Sequence, residues 1–199
     1  ESYRSRRIFT ASARAAMTFI LHARSRVDAR GILLPSYIGI SNIEGSGVFD
    51  PVCASNIDFD FYFLDQRLRP DMAALEEQIK SGNFQLVLLI HFFGIPQVNV
   101  EHFAALCKRY NVQLIEDCAH TMGAAWRGVA SGRQGVVGCY SMQTYKHVNS
   151  GEGGLLISDD PEVMARAVLS SGSYMLYGAH RAAPPAEVFA AVRMQVPNV

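Results

Sequence analysis

No two of the four cysteines (Cys53, Cys107, Cys118, Cys139) form a CxxC pair, and they stand far apart along the 199 residues. Neither a zinc site nor a disulfide framework is indicated, so the expectation is a cytoplasmic protein without a bound metal. Net charge is lacking too. Lys plus Arg and Asp plus Glu balance at 18 each, so no global field draws the chain to nucleic acid or to an anionic membrane. No stretch reaches the apolar length of a membrane span. The opening residues, ESYRSRR, lack an initiating Met and the apolar stretch of a secretory signal. No internal repeat or low-complexity linker breaks the chain. What is plentiful is apolar material, 49% against 18% charged, the balance of a globular protein with one domain as the default. The cluster Arg4, Arg6, Arg7 and Arg14 reads as a solvated helix face or a frayed end.

Periodicity divides the chain into elements. Residues 10–23 read as a helix with Ala15, Ala16, Phe19 and Ile20 on its apolar face and Ser12 as N-cap. Gly31–Pro35 reads as a short buried strand, 36–47 as loop and 61–64 as a strand. Residues 71–80 read as a helix opened by Asp71 and closed by Gly82. Phe84–Ile90, almost wholly apolar, has the signature of a strand covered on both faces. Asn99 is the expected cap of a helix facing inward with Val100, Phe103, Leu106, Cys107 and Tyr110. Strands are expected at 112–116, 136–141 and Gly154–Ser158, and a helix at 160–170. Strand, helix, strand at this spacing predicts an α/β layered sheet, largely parallel. Residues 172–185 hold too many Gly, Ser and Pro for regular structure, and 187–194 suit a short helix.

Two clusters carry potential chemistry. Glu116 and Asp117 stand where an apolar strand ends, the edge at which open α/β sheets bind ligands, with His120 three residues on. Read alone, the pair is a cap or a surface turn; a buried carboxylate needs a partner. The second cluster runs from Tyr140 to Lys146 and into the glycine-rich turn before Gly154. A lone lysine is usually solvated, but one between two apolar strands beside a polar turn suits a covalent amine. Pyridoxal phosphate (PLP) requires such a lysine, a carboxylate for its ring nitrogen and donors for its phosphate. Lys146, Asp117 and Ser141 supply one of each.

The sequence also resembles the DegT/StrS family of PLP-dependent aminotransferases. The matching segments are Ile115-Glu-Asp-Cys-Ala-His-Thr-Met-Gly123, Gly138-Cys-Tyr-Ser-Met-Gln-Thr-Tyr-Lys146 and Gly151-Glu-Gly-Gly154, in the family's order and spacing. Leu89-Ile-His-Phe-Phe-Gly94 and Ser12-Ala-Arg-Ala-Ala16 match two further segments, the latter its phosphate loop. The resemblance implies a three-layer α/β/α sandwich with a mostly parallel mixed sheet, the large domain of aspartate-aminotransferase fold type I. It makes residues 1–185 the PLP-binding domain and 186–199 the start of a truncated C-terminal segment, the small domain being largely absent.

Residue by residue, the resemblance implies Lys146 as the lysine that bonds the cofactor and shuttles protons, and Asp117 as partner of the ring nitrogen. It places His120 at the ring hydroxyl, Ser141, Arg14 and Ala15 at the phosphate, and Asn198 at the phosphate of a neighbouring subunit in a homodimer. Ala13 departs from the glycine usual in the phosphate loop, and Tyr37 is the nearest aromatic to cover the ring. The implied reaction moves an amino group from glutamate or glutamine to a keto-sugar, commonly nucleotide-linked. One alternative is a PLP-dependent sugar dehydratase of the same fold, against which Lys146 argues because that branch carries histidine there. Another is an inactive truncated homologue that serves as an interaction partner.

Overall fold

The computed structural model describes residues 6–25, 28–42, 45–170 and 185–195. The expected helices at 71–80, around 100–109 and at 160–170 are present as α3 (Met72–Lys80), α4 (Val100–Arg109) and α5 (Pro161–Ser170). Asp71 caps α3 by accepting from Ala73 and Ala74 N–H, and Asp160 caps α5 by accepting from Glu162 and Val163 N–H. Asn99 is a correction. It stands at the N-cap of α4 but in the left-handed region, and its side chain makes no capping bond. The first helix, α1 (Ala13–Ser25), starts three residues later than its pattern suggested. Ser12 caps it by accepting from Ala15 N–H at 3.0 Å.

Residues 6–10 are instead a strand, β1 (Arg6–Thr10). Arg6 and Arg7 therefore lie in a sheet and not on a helix face. The strand eluded sequence reading because it is short and pairs antiparallel with β9 (Gly154–Ser158), which arrives far along the chain. The remaining central strands are β2 (Gly31–Pro35), β3 (Phe59–Tyr62), β4 (Phe84–Ile90), β5 (Gln113–Asp117) and β8 (Val137–Ser141). A short helix, α2 (Phe49–Ser55), and a two-stranded hairpin, β6 (Ala125–Trp126) and β7 (Val129–Ala130), were not foreseen. Residues 171–184, which take in all but the last position of the expected irregular stretch, and Arg4 and Asn198 lie outside the described residues.

The seven-stranded sheet runs β1-β9-β8-β5-β4-β2-β3. Strands β8, β5, β4, β2 and β3 are parallel, and β9 is antiparallel to both its neighbours. Side chains of β4 alternate between two cores. Leu86 and Leu88 join α1, α2 and α5 on one face, while Val87 and Leu89 join α3 and α4 on the other. Each such buried side chain contributes roughly 1.5–3 kcal/mol, which explains why the strand reads as an apolar run. The result is the expected α/β/α sandwich with a mostly parallel mixed sheet. The last helix, α6 (Ala186–Gln195), packs on α5 through Val188, Phe189 and Val192. No helix among the described residues is long and apolar enough to cross a membrane.

Candidate active site

Parallel strands leave their carboxyl ends along one edge, and the segments that follow them enclose a cleft of about 790 Å³. Tyr37 follows β2, His91 follows β4, and Asp117 and Ser141 end β5 and β8; all four line the cleft. Lys146, His120 and Arg14 line it as well. Six of the eight site residues singled out from the sequence thus meet at one place: Lys146, Asp117, His120, Ser141, Arg14 and Tyr37. Of the other two, Asn198 lies outside the described residues, and Ala15 stands apart from the cleft wall. At the third helical position its N–H is taken by the Ser12 hydroxyl, and the cleft wall passes through Ala13 and Arg14 instead.

The acidic pair separates into two jobs because neighbouring side chains leave opposite faces of a strand. Glu116 is fully buried. Its Oε1 accepts from Gln134 and Gly135 N–H at 2.7 and 2.6 Å, and its Oε2 from Gly132 N–H and His91 Nε2 at 2.9 Å each. Gln97 N–H donates to His91 Nδ1 at 2.9 Å, so the ring carries its proton on Nε2 and donates it to Glu116. Burial pushes the Glu116 carboxyl up, but the donors from His91, Gly135 and Gly132 outweigh it and hold the group below its ordinary value. His91, Glu116 and Cys118 lie close enough to suit a metal ion. Both ring nitrogens and both carboxylate oxygens are already engaged, so the His91–Glu116 pair works as a structural clamp, while the Cys118 thiol, pushed up by burial, packs with Tyr140 and Ile157.

Asp117 faces the cleft. Its Oδ1 accepts from Ala119 N–H at 2.9 Å. Burial raises its pKa, and the Ala119 bond and the nearby Lys146 ammonium pull it only partly back. A buried carboxylate left in that condition fits a cationic N–H partner. Across the cleft, Lys146 Nζ and His120 Nε2 are 2.6 Å apart. Desolvation and the neighbouring Lys146 cation lower the His120 pKa, so the neutral ring accepts from the ammonium.

The far end of the cleft is built on a close approach. Ser12 bridges Gly153 as α1 begins, and a Cβ on Gly154 would stand 2.3 Å from Ser12 C and 2.4 Å from Ala13 N. Glycine is required there. Gly154→Ala is expected to cost about 1–3 kcal/mol of stability and to push the start of α1 off the sheet edge; denaturant unfolding at unchanged m-value checks it. Arg14 reaches Asp50 at 3.7 Å. Tyr37 meets Phe92 edge to face at 5.7 Å between centroids. His91, Phe93, Gln143 and Glu152 also line the cleft, and sequence reading gave none of them a role. The signal for His91 was present: it is a polar residue directly after an apolar strand, at the same sheet edge as Asp117.

Comparisons with known proteins bear on the family and the fold. The DegT/DnrJ/EryC1/StrS aminotransferase family model matches residues 53–182. L-glutamine:scyllo-inosose aminotransferase of Streptomyces griseus is 36% identical over 97 residues, 49% of this chain and 22% of that protein. UDP-N-acetyl-3-dehydro-alpha-D-glucosamine 3-aminotransferase of Acidithiobacillus ferrooxidans is 25% identical over 170 residues, 84% of this chain and 44% of that protein. Among solved structures, the sugar aminotransferase CalS13 from Micromonospora echinospora has the same fold, with a TM-score of 0.71 at 24% identity over 82% of this chain and 44% of that one. The chain spans less than half the length of each of these three.

Proposed function

This chain belongs to the DegT/DnrJ/EryC1/StrS aminotransferase family, and on that footing we propose that it is the cofactor-binding part of a PLP-dependent aminotransferase. The proposed reaction moves the amino group of glutamate or glutamine to a keto-sugar, nucleotide-linked or free, or to a keto-cyclitol. The relatives named for scyllo-inosose and for a UDP-sugar support both acceptor types. The observation that carries the reading is the placement of Lys146 and Asp117 in one cleft at the carboxyl ends of parallel strands, with His120 in contact with the lysine amine.

The residues fit the cofactor. Asp117 would hold the protonated ring nitrogen, which offsets the cost of burying its carboxylate. Ser141, the Ser12–Ala13 turn at the start of α1 and the Arg14 guanidinium would hold the phosphate, and Tyr37 would cover the ring. The chemistry PLP supplies when bound is an aldehyde that takes an amine and a ring that withdraws electrons. Lys146 provides the amine and moves the proton at Nζ, while His120 holds that amine in place through Nε2. A homodimer, with Asn198 reaching the neighbouring subunit's phosphate, belongs to the same proposal and rests on the motif resemblance alone. The dehydratase alternative loses support at the site, since a lysine occupies the position in question and His147 is exposed and outside the cleft wall.

An absorbance spectrum with added PLP, followed by borohydride reduction and peptide mapping, tests this reading. The expected result is a visible band and reduced cofactor on Lys146, both abolished in Lys146→Ala. An unchanged spectrum in that variant would remove the assignment.

A further inference from the structure

The turn after β4 is held in a conformation that its side chains disfavour. Phe93 sits at φ 55° and ψ 30°, the left-handed region that residues other than Gly, Asn and Asp avoid. Its ring is nevertheless 65% exposed, so burial does not explain the strain. The ring meets Tyr37 at 6.4 Å and Phe92 at 6.1 Å between centroids. The surroundings hold the turn from both sides. His91 is clamped by Glu116 and by Gln97 N–H, and Ile95 N–H donates to Phe92 O at 3.0 Å. Gly94, at φ 86°, lies against the His120 carbonyl and the His147 ring, which stand 3.4 and 3.7 Å from where a Cβ would be. Phe93 is therefore a strained, exposed aromatic on the wall of the same cleft as Asp117 and Lys146. Strain at a ring left mostly exposed, at the mouth of a site, points to a ligand contact.

We propose that Phe93 is a specificity residue for the amino acceptor, its ring forming an apolar lip on which the C–H face of a polyhydroxylated ring, sugar or cyclitol, packs; this rests on the function proposed above. A ring polyol directs its hydroxyls outward and gathers C–H bonds on a face, and an aromatic side chain buries that face without needing a hydrogen bond. An acyclic amino-acid donor has no such face. Phe93 thus separates the two half-reactions: it acts on the acceptor and is silent toward the donor.

Phe93→Asn removes the ring but tolerates the left-handed backbone, and Phe93→Tyr keeps the ring. The cofactor-free Asn variant is expected to unfold at the same or a higher temperature than the parent. With glutamine, the donor half-reaction, followed by the cofactor spectrum, is unchanged in both variants. With scyllo-inosose, the acceptor KM of the Asn variant rises about tenfold, equivalent to about 1.4 kcal/mol, at unchanged kcat, and the Tyr variant restores it. Saturation-transfer NMR of scyllo-inosose on the cofactor-free protein is expected to lose its signal in the Asn variant alone. An acceptor KM within twofold of the parent overturns the assignment, as does a joint fall in unfolding temperature and in both half-reactions. If the parent fails the donor half-reaction, the proposed function is lost. The NMR comparison still decides the lip: transfer that depends on the ring supports it, and transfer equal in parent and Asn variant, or absent from both, overturns it.

Discussion

Glu116→Ala is expected to destabilise the protein by about 3–5 kcal/mol, the cost of breaking a buried, fully satisfied charged network from one side. The substitution leaves His91 Nε2–H and the N–H groups of Gly132, Gln134 and Gly135 without their acceptor. Urea unfolding at neutral pH measures the loss, and its pH dependence identifies the cause. The folded carboxyl titrates below its ordinary value of 4.5. Its contribution is therefore complete above the unfolded value and is lost as pH falls through the depressed folded one. The parent and the variant should differ most above pH 4.5 and converge in stronger acid. A variant as stable as the parent at neutral pH would mean that residues 131–135 are held by something else.

Asp117→Asn should act with opposite signs on stability and function. Burial raises the folded pKa of Asp117 above 3.8, ahead of the counteracting Ala119 bond and Lys146 ammonium. A raised folded value means that the acid form is favoured on folding. That stability is present below the unfolded value and is lost as pH rises through the folded one. At neutral pH the ionised carboxylate is a net cost to the cofactor-free protein, which asparagine removes, so its unfolding temperature rises. The same change takes away the group proposed to hold the ring nitrogen, and kcat is expected to fall on the order of 10²–10³-fold, as when one preorganised electrostatic partner is lost. Calorimetry without cofactor and a half-reaction assay with it check the two signs separately. A lower unfolding temperature with intact turnover would make Asp117 a structural residue.

These two substitutions show how far sequence reading reached. Glu116 and Asp117 are neighbours of the same chemical type, and the sequence marks both as acidic residues at a strand end. Their division into a clamp and a cleft residue depends on the partners each meets. Those of Glu116 come from residues 132–135 and from His91, on other segments. Phe93 is similar: the motif around it was legible, but its left-handed backbone and exposed ring follow from the clamp on His91 and the approach of Gly94 to His120.

By itself the sequence determined the elements whose burial has a period. Phe84–Ile90, Gly31–Pro35 and Gly154–Ser158 read as strands because water is excluded from nearly every position, and α3 read as a helix because Asp71 marks its start. Ordered motifs also mark Lys146, Asp117, His120, Ser141 and Arg14, with Tyr37 as the nearest aromatic, and one cleft holds all six. Only the tertiary structure decided that β1 joins the sheet beside β9, that Ala15 stands outside the cleft wall, and which of the two carboxylates is spent on the fold. The physical reason is one of range. Periodicity and capping are local and are written in neighbouring residues, whereas strand pairing, desolvation and the partners of a buried charge are fixed by segments that meet only once the chain has folded.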